Sequence, residues 1–445
     1  MILPRLFLLC LSFCATTGAA QAANALDPAF GDGGLRHYGF QPVSGGNNDQ
    51  GVVACASANG TLTAAGIASN SRRVVTIRLH ANGGYDPAFG VDGKASFDLP
   101  GTFSGYIPGL CQPDGNLVLV RTLTGQDGEQ ALQIVRVLKQ SGQPDPSFGS
   151  NGAADIDLDS WIPGLGQRET PLSVNALPNG DLAIGGDAQL ADGSSRGFIA
   201  LLRADGSVRT VQALANLRSA NVYAAVQAPD GRLWAFGRNG RISGVYRATL
   251  NRDSLAWEGV LEYAAPPGYV YALGPARPVD ADTVVMPAAT VSQNPGAAPQ
   301  VIVFRANSIT ALPLPGPPAG YLASGDLGLT VLPGRRVLLS SLASTSGSNS
   351  RSAIHFATAR IGYDTDGDRL ETQFGDGGTQ LVSFRAPDPA CATVVPLHSF
   401  LRLTLWDGLP VLAGGVLQNC QGGTDALDYL IGRLRPDYLF GDGMD

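Results

Sequence analysis

Asp27-Pro28-Ala29-Phe30-Gly31-Asp32-Gly33-Gly34 returns along the chain as Asp86-Pro87-Ala88-Phe89-Gly90-Val91-Asp92-Gly93 and as Asp145-Pro146-Ser147-Phe148-Gly149-Ser150-Asn151-Gly152. Phe30, Phe89 and Phe148 are thus spaced by 59 residues (89 − 30 and 148 − 89). Shorter copies stand at Gln373-Phe374-Gly375-Asp376-Gly377-Gly378 and Leu439-Phe440-Gly441-Asp442-Gly443. A fixed period of this size marks a repeat architecture, in which one supersecondary unit is copied and stacked.

A second signal runs in phase with the first: an Asp-Gly or Asn-Gly pair between two apolar runs, the strongest short-range hairpin signal. It occurs at Asn59-Gly60, Asp114-Gly115, Asn179-Gly180, Asp230-Gly231 and Asp407-Gly408, with weaker forms at Ala281-Asp282 and Pro333-Gly334. The 410 residues from Phe30 to Phe440, divided among these seven hairpins, give a period of 58.6, which matches the local spacing.

Composition points to strands. Only 15% of the 445 residues are charged, against 58 glycines and 30 prolines. The lysines are Lys94 and Lys139, and the glutamates are Glu129, Glu169, Glu258, Glu262 and Glu371, too few to clothe many exposed helices. Alternating β-branched runs such as 73–79 and 300–305 agree. In the unit that begins at Phe89 the pattern predicts strands at Lys94–Asp98, 106–112, 116–121 and 131–138. Four short antiparallel strands repeated seven times describe an all-β, seven-bladed β-propeller, which buries both faces of every twisted sheet by closing a ring.

Residues 1–22 read as a secretory signal peptide: Arg5, an apolar run over 6–15, and Ala20-Gln21-Ala22 as the cleavage site. Residues 23–445 are then one propeller of approximate units 30–88, 89–147, 148–206, 207–256, 257–310, 311–373 and 374–445. We expect an exported monomer, secreted, periplasmic or at the cell surface, without membrane insertion. The formal charge of −7 becomes −8 once Arg5 is removed, and there is no basic cluster, which argues against nucleic acid.

These phrases resemble the delta-60 repeat, a bacterial module with a Leu-Asp-Pro-x-Phe-Gly-x-x-Gly start and a Gln-Pro-Asp-Gly-x-Leu hairpin. Residues 26–34 and 112–117 match them nearly residue by residue, whereas between 207 and 370 only hairpins survive. The resemblance implies a β-propeller and carries no activity.

In such a meander the Asp-Gly and Phe-Gly turns share one face. The other carries the variable connections at 156–171, 187–195, 288–299, 341–352, 385–396 and 416–426, where a ligand is expected, together with the mouth of the axial channel. Four cysteines remain after processing, an even number that favours disulfides in an exported chain. We expect Cys391–Cys420, both within one blade, which leaves Cys55–Cys111 between equivalent strands of adjacent blades; four buried thiols are the alternative.

Catalytic signatures are missing. Asp364, Asp366 and Asp368 invite a calcium reading, but glycine falls fourth and position twelve is Gly375, so a between-blade turn is the better reading. His37, His80, His355 and His398 are dispersed and read as structural. Trp161, Tyr269 and Tyr271 are candidates to stack on sugar rings, with packing as the competing reading. We assign no catalytic residue and no cofactor. The expectation is a binding or scaffolding module with a protein or carbohydrate partner. One alternative is an extracellular polysaccharide hydrolase or lyase with acids converging at the channel mouth. Another is a purely structural envelope or surface protein.

Overall fold

The computed structural model describes residues 26–38 and 50–435, apart from positions 58, 69–72, 102, 105–106, 125–129, 218, 267–269, 292–297, 346–350, 384–390, 397–401 and 421–425. Strands form where an apolar run lies between two turns of fixed chemistry. At Asp114-Gly115 the Asp114 carboxylate accepts the Asn116 amide at 2.9 Å, and the chain reverses from Gly109–Cys111 into Leu117–Thr124. Asp230 accepts the Arg232 amide at 3.0 Å and Asn179 the Asp181 amide at 3.3 Å in the same way. Each of the seven expected hairpins joins two antiparallel strands.

Seven antiparallel sheets result, numbered here as blades in chain order. Blade 1 is Gln50–Ala56, Leu62–Ala68, Arg73–Leu79 and Lys94–Asp98. Blades 2, 3, 4, 5 and 6 open on the strands Phe103–Ser104 with Gly109–Cys111, Leu165–Ala176, Ala220–Gln227, Val270–Leu273 with Arg277–Pro278, and Tyr321–Leu332. In each, the first strand lies at the axis. The outermost strand follows the Phe-Gly turn or its counterpart, so the sequence repeat is offset from the blade by one strand. Blade 7 takes its inner strands from Cys391–Pro396, Arg402–Trp406, Leu409–Cys420 and Ala426–Arg433, and its outermost from the other end of the chain. There Leu35–Tyr38 pairs antiparallel with Ala426–Arg433, Leu35 opposite Gly432 and Tyr38 opposite Tyr429.

Closure leaves each blade sandwiched. Seven apolar clusters each bridge one pair of neighbouring blades, for example Val118, Ile134, Phe148, Leu182 and Phe198 between blades 2 and 3, and Tyr38, Leu62, Ile77, Trp406 and Val411 between blades 7 and 1. This explains the continuous apolar runs: the third strand of blade 4, Gly244–Leu250, is buried at every position. Its outer neighbour Trp257–Tyr263 alternates between half-buried and exposed, because solvent takes one of its faces.

The Phe-Gly turn is a staple. Asp145 accepts the Ser147 amide at 2.9 Å on its side chain and the Phe148 amide at 3.0 Å on its carbonyl, which drops the Phe148 ring fully into the core. Arg136 on the preceding strand pairs with Asp145 at 2.7 Å and lays its guanidinium over the Phe148 ring at 4.6 Å. Arg78, Asp86 and Phe89 repeat the set, and so do Arg433, Asp27 and Phe30, the last across the closure of the ring. Gly149 stands at φ +55°, where an added Cβ would lie 2.1 Å from the Ala153 carbonyl oxygen, so only glycine fits.

Cys55 and Cys111 are disulfide-bonded and join the inner strands of blades 1 and 2. The crosslink closes a loop of 56 residues, worth about 4 kcal/mol in the chain-entropy account. Cys391 and Cys420 fall on strands rather than in connections and are direct cross-strand partners in blade 7. The variable connections are shorter than expected. Strands Arg336–Thr345 and Arg351–Arg360 consume most of 341–352, and Leu165–Ala176 takes the end of 156–171, because backbone pairing runs on to Ser344 opposite Arg351 and to Leu165 opposite Leu190. No described helix is long and apolar enough to cross a membrane.

Candidate functional site

The innermost strand of every blade has one edge without a strand partner, facing the axis, and these seven edges enclose a cavity of about 450 Å³. Val53, Leu110, Ala176, Val226, Pro278, Thr330 and Leu403 contribute to it, one from each blade. It lies at the hairpin end of the channel, since Pro113 and Pro178 belong to hairpin turns. Asn175, Gln227, Arg277, Thr330 and Thr404 supply its polar wall. Asn175 already bridges two blades by accepting the Ala225 amide at 3.2 Å, which satisfies one group of an unpaired edge. Gln227 accepts Arg252 at 3.4 Å. The only charged residue among those lining the cavity is Arg277; no carboxylate or imidazole is among them. The wall is therefore equipped to hold and orient a polar ligand by hydrogen bonds and one positive charge, and its described side chains include no proton-transfer pair.

On the opposite face the described residues bring ionisable groups together between blades 3 and 4. Burial pushes the Asp187 carboxyl above the ordinary range, against a hydrogen bond from Asn221 and the charges of Arg168 and Arg238. Glu169, 2% exposed, accepts the Thr122 hydroxyl on its carbonyl oxygen and donates its own amide N–H to the Gln130 side-chain oxygen, both at 2.8 Å, and so ties blade 3 to blade 2. Sequence reasoning does not find Asp187, because Asn221 and Arg238 reach it from another blade and Arg168 from a neighbouring strand.

Two of the three acids of the calcium-like segment are engaged by the fold. Asp364 caps a short 3₁₀ turn by accepting the Gly367 amide at 3.0 Å. Asp368 accepts the Gly362 amide at 2.9 Å and pairs with Arg305 of blade 5 at 2.5 Å, while Asp366 lies exposed between them. No group of three or more His, Cys, Asp or Glu side chains among the described residues is placed to hold a metal ion. His355 is fully buried, with Nδ1 3.4 Å from the Ser341 hydroxyl, and burial lowers its pKa to about 4. His80 is half exposed, 3.8 Å from Asp86, in the turn between the third and fourth strands of blade 1, not between blades, because the blade boundary falls one strand after the Phe-Gly turn. His37 lies on the strand that closes the ring, and His398 lies outside the described residues.

The three aromatic candidates are not assembled into a platform among the described residues. Tyr271 is 1% exposed, its ring is packed between blades 4 and 5, and its hydroxyl is pushed up to about 12, by burial first and Tyr263 second. A ring so enclosed has no face to stack on a sugar. Trp161 is exposed after the turn Leu158–Ser160, in the connection from blade 2 to blade 3, and Tyr269 lies outside the described residues. Trp234 and Trp406 are core.

One family model agrees with the fold. The family described as a domain of unknown function (DUF5122) beta-propeller matches residues 112–148, the hairpin turn, the second and third strands and the Phe-Gly turn of blade 2. No curated protein matches. Among solved structures, the chain is similar to an α-L-arabinanase of Penicillium chrysogenum complexed with arabinobiose, at 14% identity over 76% of this chain and 94% of that one, with a TM-score of 0.43. It is similar to the polysaccharide lyase Uly1 at 12% identity over 86% and 90%, with a TM-score of 0.44. A protein of unknown function from Dyadobacter fermentans is similar at 13% identity over 90% and 100%, with a TM-score of 0.42.

Proposed function

We propose that the chain is an exported binding or scaffolding propeller that holds a polar ligand bearing an anionic group at the hairpin-side mouth of its axis. The observation that carries this reading is the axial wall, where Asn175, Gln227, Thr330 and Thr404 surround Arg277 in a cavity drawn from all seven blades. Such a set recognises without transferring protons, and a ligand there touches the rigid inner strands rather than the connecting loops. The Cys55–Cys111 disulfide supports an oxidising compartment and hence the signal-peptide reading of residues 1–22. The register of Cys391 opposite Cys420 supports a second disulfide there.

The test is thermal unfolding of residues 23–445, disulfides intact, with galacturonate trisaccharide, cellohexaose or citrate, alongside an assay for new reducing ends or unsaturated products. A ligand at about a hundred times its Kd adds roughly 2.7 kcal/mol of apparent stability. Stabilisation by an acidic probe that Arg277→Ala abolishes upholds the axial reading. Release of sugar products moves the assignment to a hydrolase or lyase. A flat panel from a cooperatively folded sample moves it to a structural role.

A further inference from the structure

On the hairpin face, away from the axis, a second cavity of about 490 Å³ lies over blade 6. Its charged lining is Arg335, Arg360, Arg369 and Asp364, and its aromatic wall is Tyr363. Tyr363 is 86% exposed, yet it is not a loose ring, because the Arg335 guanidinium lies over it at 4.2 Å. Arg335 is itself fixed. It donates to the Ile361 carbonyl at 2.8 Å and the Gly362 carbonyl at 2.6 Å and is paired with Asp280 of blade 5. One face of the phenol ring thus rests on an immobile cation and the other is open to solvent. A single exposed ring asks for no explanation; a fixed one in the wall of a charged cavity does.

The charges are unevenly committed. Asp364, exposed, accepts the Gly367 amide, and Arg360 shares Glu371 at 2.8 Å while its side chain stays 41% exposed. Arg369 is exposed, and its guanidinium has no hydrogen-bond or ion-pair partner among the described residues. The cavity therefore offers a flat apolar face, one uncommitted guanidinium and a second half-committed one.

We propose that this cavity binds an acidic sugar residue of a polysaccharide, its pyranose ring stacked on the open face of Tyr363 and its carboxylate or sulfate held by Arg369 and Arg360. Guanidinium groups take such anions in bidentate fashion, and the carbons of a pyranose ring match the apolar face of a phenol. The site is independent of the axial reading and shares no residue with it.

The experiment is isothermal titration calorimetry of residues 23–445 with three probes: galacturonate hexamer, a sulfated disaccharide and cellohexaose. Both acidic probes, or one of them, bind, and cellohexaose binds at least tenfold more weakly. Tyr363→Ala and Arg369→Glu each weaken binding at least tenfold with an unchanged unfolding midpoint, Tyr363→Phe retains it, and Arg277→Ala leaves it intact. The carboxylated and sulfated arms distinguish which anion is used. Binding lost in Arg277→Ala but kept in Tyr363→Ala assigns the ligand to the axis and overturns the proposal. Equal affinity for cellohexaose, or no heat from either acidic probe at millimolar concentration, overturns it as well.

Discussion

Blade 2 and blade 6 solve the same turn with different residues. In blade 2, Asp145 caps its own turn, grips Arg136 and sets Phe148 in a fully buried position. In blade 6, Glu371 occupies the Asp position, Arg360 pairs with it at 2.8 Å, and the Phe374 amide reaches the Glu371 carbonyl at 3.3 Å rather than the 3.0 Å of Phe148 on Asp145. The extra methylene of glutamate moves its carboxylate away from the amide two residues on, so no side-chain cap forms there. Ahead of that looser turn the connection is longer by four residues than in blade 2, 13 positions from Thr358 to Glu371 (371 − 358) against 9 from Arg136 to Asp145 (145 − 136), and it brings Tyr363 to the surface. Where the repeat phrase is intact, its first aspartate and the arginine of the preceding strand are spent on the staple. Where it has drifted, the same turn leaves an exposed ring and an arginine with no partner among the described residues.

This contrast can be sharpened by substitution. The largest effect belongs to the intact staple: Phe148→Ala removes a fully buried ring and should cost about 4 kcal/mol in chemical denaturation. A cost under half of that would show that Arg136 and the neighbouring blade close over the gap.

Next is acid. His355 in blade 6 has its pKa lowered from 6.5 to about 4, by burial, so the folded state prefers the neutral ring. The unfolded chain binds the proton first as pH falls. The contribution is therefore fully present above pH 6.5 and lost between 6.5 and 4, up to about 3 kcal/mol. Blade 2 contains no histidine. Hydrogen exchange at pH 4.5 should loosen blade 6 before blade 2, and His355→Gln should flatten that part of the stability profile; uniform loosening would refute the assignment.

The smallest effect separates the two ion pairs. Asp145→Ala strands a mostly buried Arg136 and loses the turn cap, at about 2 kcal/mol. Glu371→Ala releases an arginine whose side chain is 41% exposed, at about 0.5 kcal/mol. Equal costs in urea denaturation would mean that the two turns are not different devices.

Much of the fold is legible in the chain because the turn chemistry is local. An Asx side chain reaches an amide two residues on, and a positive φ belongs to one glycine, so seven hairpins, the Phe-Gly staples and the buried phenylalanines are written into short stretches. What the sequence by itself determined is this count and kind of blade, with the two-sided burial that their apolar runs demand. Tertiary structure decided everything that joins distant residues. It supplied the outer strand of blade 7 from Leu35–Tyr38, and it spent Asp368 on Arg305, 63 positions away in the chain. It buried Tyr271, ringed Arg277 with side chains from other blades, and laid Arg335 on Tyr363. These pairings depend on which strands the closed ring sets side by side, and no local pattern encodes that.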